Sequence, residues 1–123
     1  MKKTIIMAIG CLAIGSSAMA YETIAQKAAN KEFAKYNQTG TFEKCIKYNI
    51  IKKNVVIDDT KIIFKMKNNN IVMNTLNSQC HSLAFERKFN FGVSNNRICE
   101  KDLIHTRRDT CLLSKFETLE EKS

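Results

Sequence analysis

Residues 61–76 read KIIFKMKNNNIVMNTL, two apolar runs hinged on three asparagines. In the first run Ile62, Phe64 and Met66 alternate with Lys61, Ile63, Lys65 and Lys67. Side chains on a strand point to opposite faces in turn, so this period of two describes a half-buried antiparallel strand with lysines outward. Asn68–Asn70 read as the turn, because asparagine tolerates positive φ. IVMNTL, 71–76, returns as the partner strand.

The same period continues on both sides. In CIKYNII, 45–51, Ile46, Tyr48 and Ile50 alternate with Lys47 and Asn49. VVI, 55–57, closed by DDT, is either the continuation of that strand around a bend or a short strand of its own. Downstream, RKFNFGV (87–93), DLIHTRR (102–108) and CLLSKFETL (111–119) are further strand candidates, separated by turn residues SNN (94–96) and RDT (108–110). CHSLAFE, 80–86, fits a short helical turn or the start of a strand. Five or six short strands of this kind predict a mainly β domain, a small antiparallel barrel or a strongly curled sheet. Before them, residues 21–36 (YETIAQKAANKEFAKY) are rich in helix formers. Ala25, Ala29, Phe33 and Tyr36 make one narrow apolar stripe, and NQTG ends the helix with Gly40 in a left-handed turn. The expected organisation is a leader over 1–20, helix and turn over 21–40, a β domain over 41–119, and a frayed tail over 120–123.

The leader has the form of a secretory signal peptide. Lys2 and Lys3 precede an apolar run from Thr4 to Ile14, and Ala18-Met19-Ala20 is a small-x-small cleavage site. Cleavage after Ala20 leaves a chain that is periplasmic or secreted. A lipid anchor on Cys11 is the weaker reading, because the apolar run before it is very short. No later segment approaches the ~18 apolar residues of a membrane span. Cys11 leaves with the leader, so Cys45, Cys80, Cys99 and Cys111 remain, an even set that reads as two disulfides in an exported chain. The full chain carries +8, and without Lys2 and Lys3 eighteen basic side chains face twelve acidic ones, or +6. Such a balance favours solubility and anionic partners.

Several chemistries are disfavoured by spacing. Structural zinc sites bring two ligands within two to four residues, and no Cys-x-x-Cys occurs. Cys80 and His81 are adjacent, which on a strand sends them to opposite faces. Haem attachment, thioredoxin-like redox chemistry and a Gly-x-Ser-x-Gly nucleophile elbow lack their motifs. Asp58-Asp59 is the tightest acidic pair and sits where turns use aspartate. His81 and His105 carry no motif. The expectation is a non-enzymatic protein with no cofactor and no metal. The basic residues are more telling: Lys61, Lys65 and Lys67 share one strand face, and Arg107 and Arg108 lie on a later turn. These five form the candidate anion-binding set, although lysines on such a face also protect sheet edges. Tyr48, Phe64, Phe89 and Phe91 fit buried positions better than base-stacking ones, which argues against nucleic acid.

Strand-end parity bears on the cystines. If strands run up and down in order, Cys45 and Cys99 lie at one end and Cys80 and Cys111 at the other. This favours Cys45–Cys99 with Cys80–Cys111 over the nearest-neighbour pattern, Cys45–Cys80 with Cys99–Cys111.

VVIDDTKIIFKMKNNNIVMNTLNSQCHSLAF (55–85), NNRICEKDLI (95–104) and CLLSKF (111–116) together resemble a family of small exported proteobacterial proteins classed as a domain of unknown function. Its members carry a signal peptide or lipobox, an Asp-rich turn, a strand hairpin, a Cys-x-x-Leu element and a closing Cys-x-hydrophobic strand. Cys80 and Leu83 match the Cys-x-x-Leu element, and Cys111 matches the closing strand. The resemblance spans about residues 45–117 and implies an exported, four-cysteine β domain, without an activity. The functional expectation is a periplasmic binding or envelope-associated module. Its basic face would meet lipopolysaccharide, phospholipid headgroups or an acidic glycan. The alternatives are a periplasmic hydrolase inhibitor resembling lysozyme inhibitors, against which the basic charge argues, and an enzyme without a recognisable motif.

Overall fold

The computed structural model describes residues 23–92 and 95–122; the leader, 1–20, lies outside the described residues. A first helix, α1 (Ile24–Phe33), starts where the Thr23 hydroxyl accepts the Gln26 N–H at 3.0 Å, an N-cap that satisfies one of the helix's orphan donors. Ten strands follow among the described residues: β1 (Tyr36–Glu43), β2 (Cys45–Lys47), β3 (Ile51–Val56), β4 (Lys61–Met66), β5 (Ile71–Thr75), β6 (Asn90–Phe91), β7 (Arg97–Cys99), β8 (Leu103–His105), β9 (Thr110–Leu112) and β10 (Phe116–Glu121). A 3-10 turn over Tyr48–Ile50 separates β2 from β3, and a one-turn helix, α2 (Leu83–Glu86), lies between β5 and β6. No helix among the described residues is long and apolar enough to cross a membrane.

The fold is mainly β with an N-terminal helix, and all its pairings are antiparallel. It is not a barrel. The strands form three open sheets, a five-stranded one in the order β1-β10-β5-β4-β3, a pair β2-β7 and a triplet β6-β8-β9. The hairpin of residues 61–76 is at its heart. Asn69 takes φ 71° in the turn, the Asn69 N–H donates to Met66 O at 3.0 Å, and the Asn68 carboxamide accepts from Asn70 N–H at 3.0 Å.

Both faces of the main sheet are covered. On one side Ile62, Phe64, Met66, Val72 and Phe116 pack with Ile46, Ile98 and Ile104 from the smaller sheets, Leu83 from α2 and Leu113 just after β9. On the other, Ile63, Met73 and Leu119 pack with Ala29 and Tyr36. Two-sided burial explains why Ile63 is wholly buried although its parity puts it on the lysine face. It also places Lys61 and Lys65 on a central strand, where they protect no sheet edge.

Three boundaries differ from the sequence expectation. First, the run 45–57 is not one strand. The 3-10 turn turns Tyr48 outward, 46% exposed, with its ring edge-on to Phe91 at 5.7 Å. Second, NQTG does not cap the helix. It lies within β1, where Gly40 has φ +77° beside a register shift between Gln38 and Phe42. The buried Glu117 carboxylate holds this bulge, accepting from Gln38 Nε2 at 2.8 Å and Gly40 N–H at 2.9 Å. Third, the last strand reaches into the segment expected as tail, of which Ser123 lies outside the described residues. β10 runs to Glu121, opposite Tyr36, and the Lys122 N–H donates to Lys35 O at 2.9 Å.

Two disulfides tie the layers. Cys45 and Cys99 are register partners on β2 and β7, with Cα atoms 4.0 Å apart. Cys80, wholly buried, joins Cys111 of β9 across 5.8 Å. The first bond arises from direct strand pairing in a separate small sheet, not from two strand ends meeting at the rim of a barrel. Disulfides persist in oxidising compartments, so they point to a non-cytoplasmic location.

Asn74 also links layers. It is fully buried on β5 and uses its carboxamide as a piece of strand. Its Nδ2 donates to Ser114 O at 2.7 Å, and its Oδ1 accepts Ser114 N–H at 2.9 Å. The backbone between β9 and β10 is thereby satisfied where no neighbouring strand reaches it.

Candidate anion-binding surface

The five basic residues singled out in the sequence do not form one site. Lys61 lies at the start of β4, where its ammonium pairs with Asp58 at 3.5 Å. Asp58 is itself an Asx turn, accepting Thr60 N–H at 2.8 Å, the Thr60 hydroxyl at 2.9 Å and Lys61 N–H at 3.0 Å. Burial acts to raise its pKa, but those hydrogen bonds and the Lys61 charge outweigh it and lower the carboxyl. Asp59 accepts Ala84 N–H of α2 at 2.8 Å and Gln79 Nε2 at 3.1 Å. The acidic pair is therefore structural glue between the β3–β4 turn and α2. Arg107 and Arg108 are exposed and stand near that same end, since Arg107 N–H donates to Glu86 of α2 at 3.1 Å. Lys67 is exposed at the other end of β4, about 20 Å away at ~3.3 Å per strand residue.

Lys65 faces α1. Its ammonium pairs with Glu32, which also accepts the Tyr36 hydroxyl at 2.8 Å and an ion pair from Lys35 at 3.3 Å. The Glu32 side chain is only 16% exposed. Burial alone would raise its pKa, yet hydrogen bonds from Lys65, Tyr36 and Lys35 prevail and lower it from 4.5 to about 2. The same contacts act oppositely on their donors. The Glu32 hydrogen bond raises Lys65 against the effect of burial, while burial and then Glu32 raise Tyr36. Because the folded value of Glu32 is depressed, its stabilisation is present above about pH 4.5 and lost as pH falls toward 2. A shift of 2.5 units corresponds to roughly 3 kcal/mol at most. Glu32→Gln should therefore be less stable than wild type by about 2–3 kcal/mol at pH 6. The gap should shrink to below about 1 kcal/mol near pH 2.5, as read by urea unfolding at each pH. A gap that persists undiminished at pH 2.5 would refute this account.

With Lys61 and Lys65 neutralised, several of the remaining cations flank the β4–β5 turn. A cleft of about 600 Å³ on the α1 side of the sheet is lined by Tyr36, Lys52, Lys53, Lys65, Asn69 and Asn70 among others. Lys53 is the register partner of Lys65. Lys52 and Lys53 are exposed on edge strand β3 and make no ion pair among the described residues. A second cleft, also about 600 Å³, flanks the other side of the turn, with Lys47, Arg97, Asn68 and Asn70 in its lining. The two share Met66 and Asn70. The sequence signal for this region was the Lys52-Lys53 doublet, whose significance depends on β3 being an edge.

Several other polar groups are engaged within the fold. Arg87, at φ 60°, donates to Val56 O and Gln26 Oε1, each at 2.7 Å, and so fastens α1 to the end of β3. His81 is exposed, and its N–H donates to Asp109 at 3.2 Å; His105 Nδ1 lies 3.2 Å from the Thr110 hydroxyl. Ligand atoms of Cys80, Asp109 and Cys111 fall within 4.8 Å of one another, but the two sulfurs are bonded to each other and offer no thiolate. No protein-family model, curated protein or solved structure matches this chain.

Proposed function

We propose that the protein is an exported, periplasmic, non-enzymatic binding module whose basic end meets an anionic component of the envelope. The observation that carries this reading is the pair Lys52 and Lys53, exposed beside a cleft whose other lysine is already neutralised. The signal-peptide pattern of residues 1–20, the two disulfides and the resemblance to small exported proteobacterial proteins support the compartment. The net charge of +6 after leader removal supports the sign of the ligand.

Each lysine near an anionic surface contributes about 1 kcal/mol. Lys52→Ala/Lys53→Ala should therefore weaken binding to phosphatidylglycerol-containing vesicles roughly 30-fold at low salt, measured by co-sedimentation. Lys61→Ala should leave binding unchanged, because that lysine is paired with Asp58 at the opposite end. Columns of lipopolysaccharide and heparin report on the other two ligand classes. Wild-type protein that binds neutral vesicles as well as anionic ones, and passes unretarded over both columns, refutes the proposal.

A further inference from the structure

Lys47 and Arg97 are register partners on β2 and β7, so two cations stand directly across from one another. Like charges in that position destabilise a strand pair. Neither makes an ion pair among the described residues, and Glu43, the acidic residue of the same cleft, pairs with neither. Two residues along, Cys45–Cys99 binds the strands covalently and prevents the pair from separating. The repulsion is thus held in the folded domain, and an anion between the two heads relieves it. A guanidinium fork beside an ammonium suits a phosphate or carboxylate head.

The wall beneath the cations is part polar, with Asn68 and Asn70, and part apolar. Ile46, Ile50, Met66 and Val72 line the cleft of about 600 Å³ between the small sheet and the end of the β4–β5 hairpin. Ligand sites of this size combine an apolar lining with a few convergent polar groups that fix orientation. A bare inorganic anion would use only the polar part of this lining, and a neutral alkyl compound would leave the cations unrelieved. We propose that this cleft binds a single-chain anionic amphiphile, its head between Lys47 and Arg97 and its first methylenes against Ile46, Ile50, Met66 and Val72. This cleft adjoins the one beside Lys52 and Lys53 at Met66 and Asn70, but its cations are different ones, so each reading is tested by its own double variant.

Dodecyl phosphate, kept below its micelle-forming concentration, is the probe, with inorganic phosphate and a neutral dodecyl ether as comparators in calorimetric titration. The expected result is a one-to-one complex with dodecyl phosphate, binding of inorganic phosphate at least tenfold weaker, and none of the ether. Lys47→Ala/Arg97→Ala should weaken dodecyl phosphate binding at least tenfold while the ligand-free protein melts no lower than wild type. Lys52→Ala/Lys53→Ala should bind the probe normally. Equal binding of inorganic phosphate, binding of the ether, undiminished binding by Lys47→Ala/Arg97→Ala, or no complex with wild type each overturns the proposal. Failure here with vesicle binding still dependent on Lys52 and Lys53 leaves the envelope-binding reading intact.

Discussion

Phe64→Ala is expected to cost about 4 kcal/mol of unfolding free energy, the usual range for truncating a buried aromatic being 3–5 kcal/mol. Phe64 has no exposed surface, and its ring centroid lies 5.8, 6.1 and 6.5 Å from those of Phe116, Phe91 and Phe89. The ring is therefore the hub that joins the main sheet to the β6-β8-β9 triplet. Its removal leaves a cavity and breaks contacts that add about 0.5–1.5 kcal/mol each beyond burial. Against a total stability of 5–15 kcal/mol for such a domain, the variant should melt on the order of 20 °C lower. Thermal and urea unfolding followed by far-ultraviolet circular dichroism measure this. A loss below about 1.5 kcal/mol would mean that the site collapses around the missing ring and that Phe64 is no hub.

Removing the Cys45–Cys99 bond should cost a similar amount. The bond closes a loop of 54 residues. In the chain-entropy account a crosslink of that span destabilises the unfolded ensemble by about 4 kcal/mol. Local structure makes the loss concrete. β2 and β7 pair over only three residues each and carry the like-charged Lys47 and Arg97 opposite one another. An isolated two-stranded ribbon is marginal in water, so without the crosslink the repulsion opens it. Cys45→Ala/Cys99→Ala should show lowered stability together with fast amide exchange in residues 45–47 and 97–99. Stability within about 1 kcal/mol of wild type would show that packing of Ile46 and Ile98 alone suffices.

The central hairpin was legible because alternation and turn chemistry agree in residues 61–76. Helix α1 was legible because Ala, Lys, Glu and Gln dominate it. β1 was not, because YNQTGTFE has no alternation and only Tyr36 and Phe42 as large apolar residues. It is a strand because β10 offers a ladder and the buried Glu117 fixes the bulge at Gly40. The division into three sheets was equally hidden. Nothing in CIKYNII marks the 3-10 turn at Tyr48–Ile50, which follows from Tyr48 N–H donating to Asn96 O at 2.9 Å and Lys67 N–H to Ile50 O at 2.7 Å. For the site, charge content was visible and its distribution was not. The lysines on a strand facing α1 meet Glu32 and Asp58, which parity alone does not disclose. Lys52 and Lys53 on an edge strand, and Lys47 and Arg97 on a small ribbon, have no such partner among the described residues.

The order β1-β10-β5 places the last strand of the chain between the first and the middle of the main sheet. β1 has no ladder to join until residues 116–121 arrive, a separation of some eighty positions, as in Tyr36 opposite Glu121. Contacts so distant in sequence make folding slow, because the chain loses loop entropy before the pairing returns it. A chain that lacks residues 116–121 can assemble the β3–β4–β5 meander and no more of that sheet. Completion of the sheet waits for residues 116–121, and without them β1 has no partner strand.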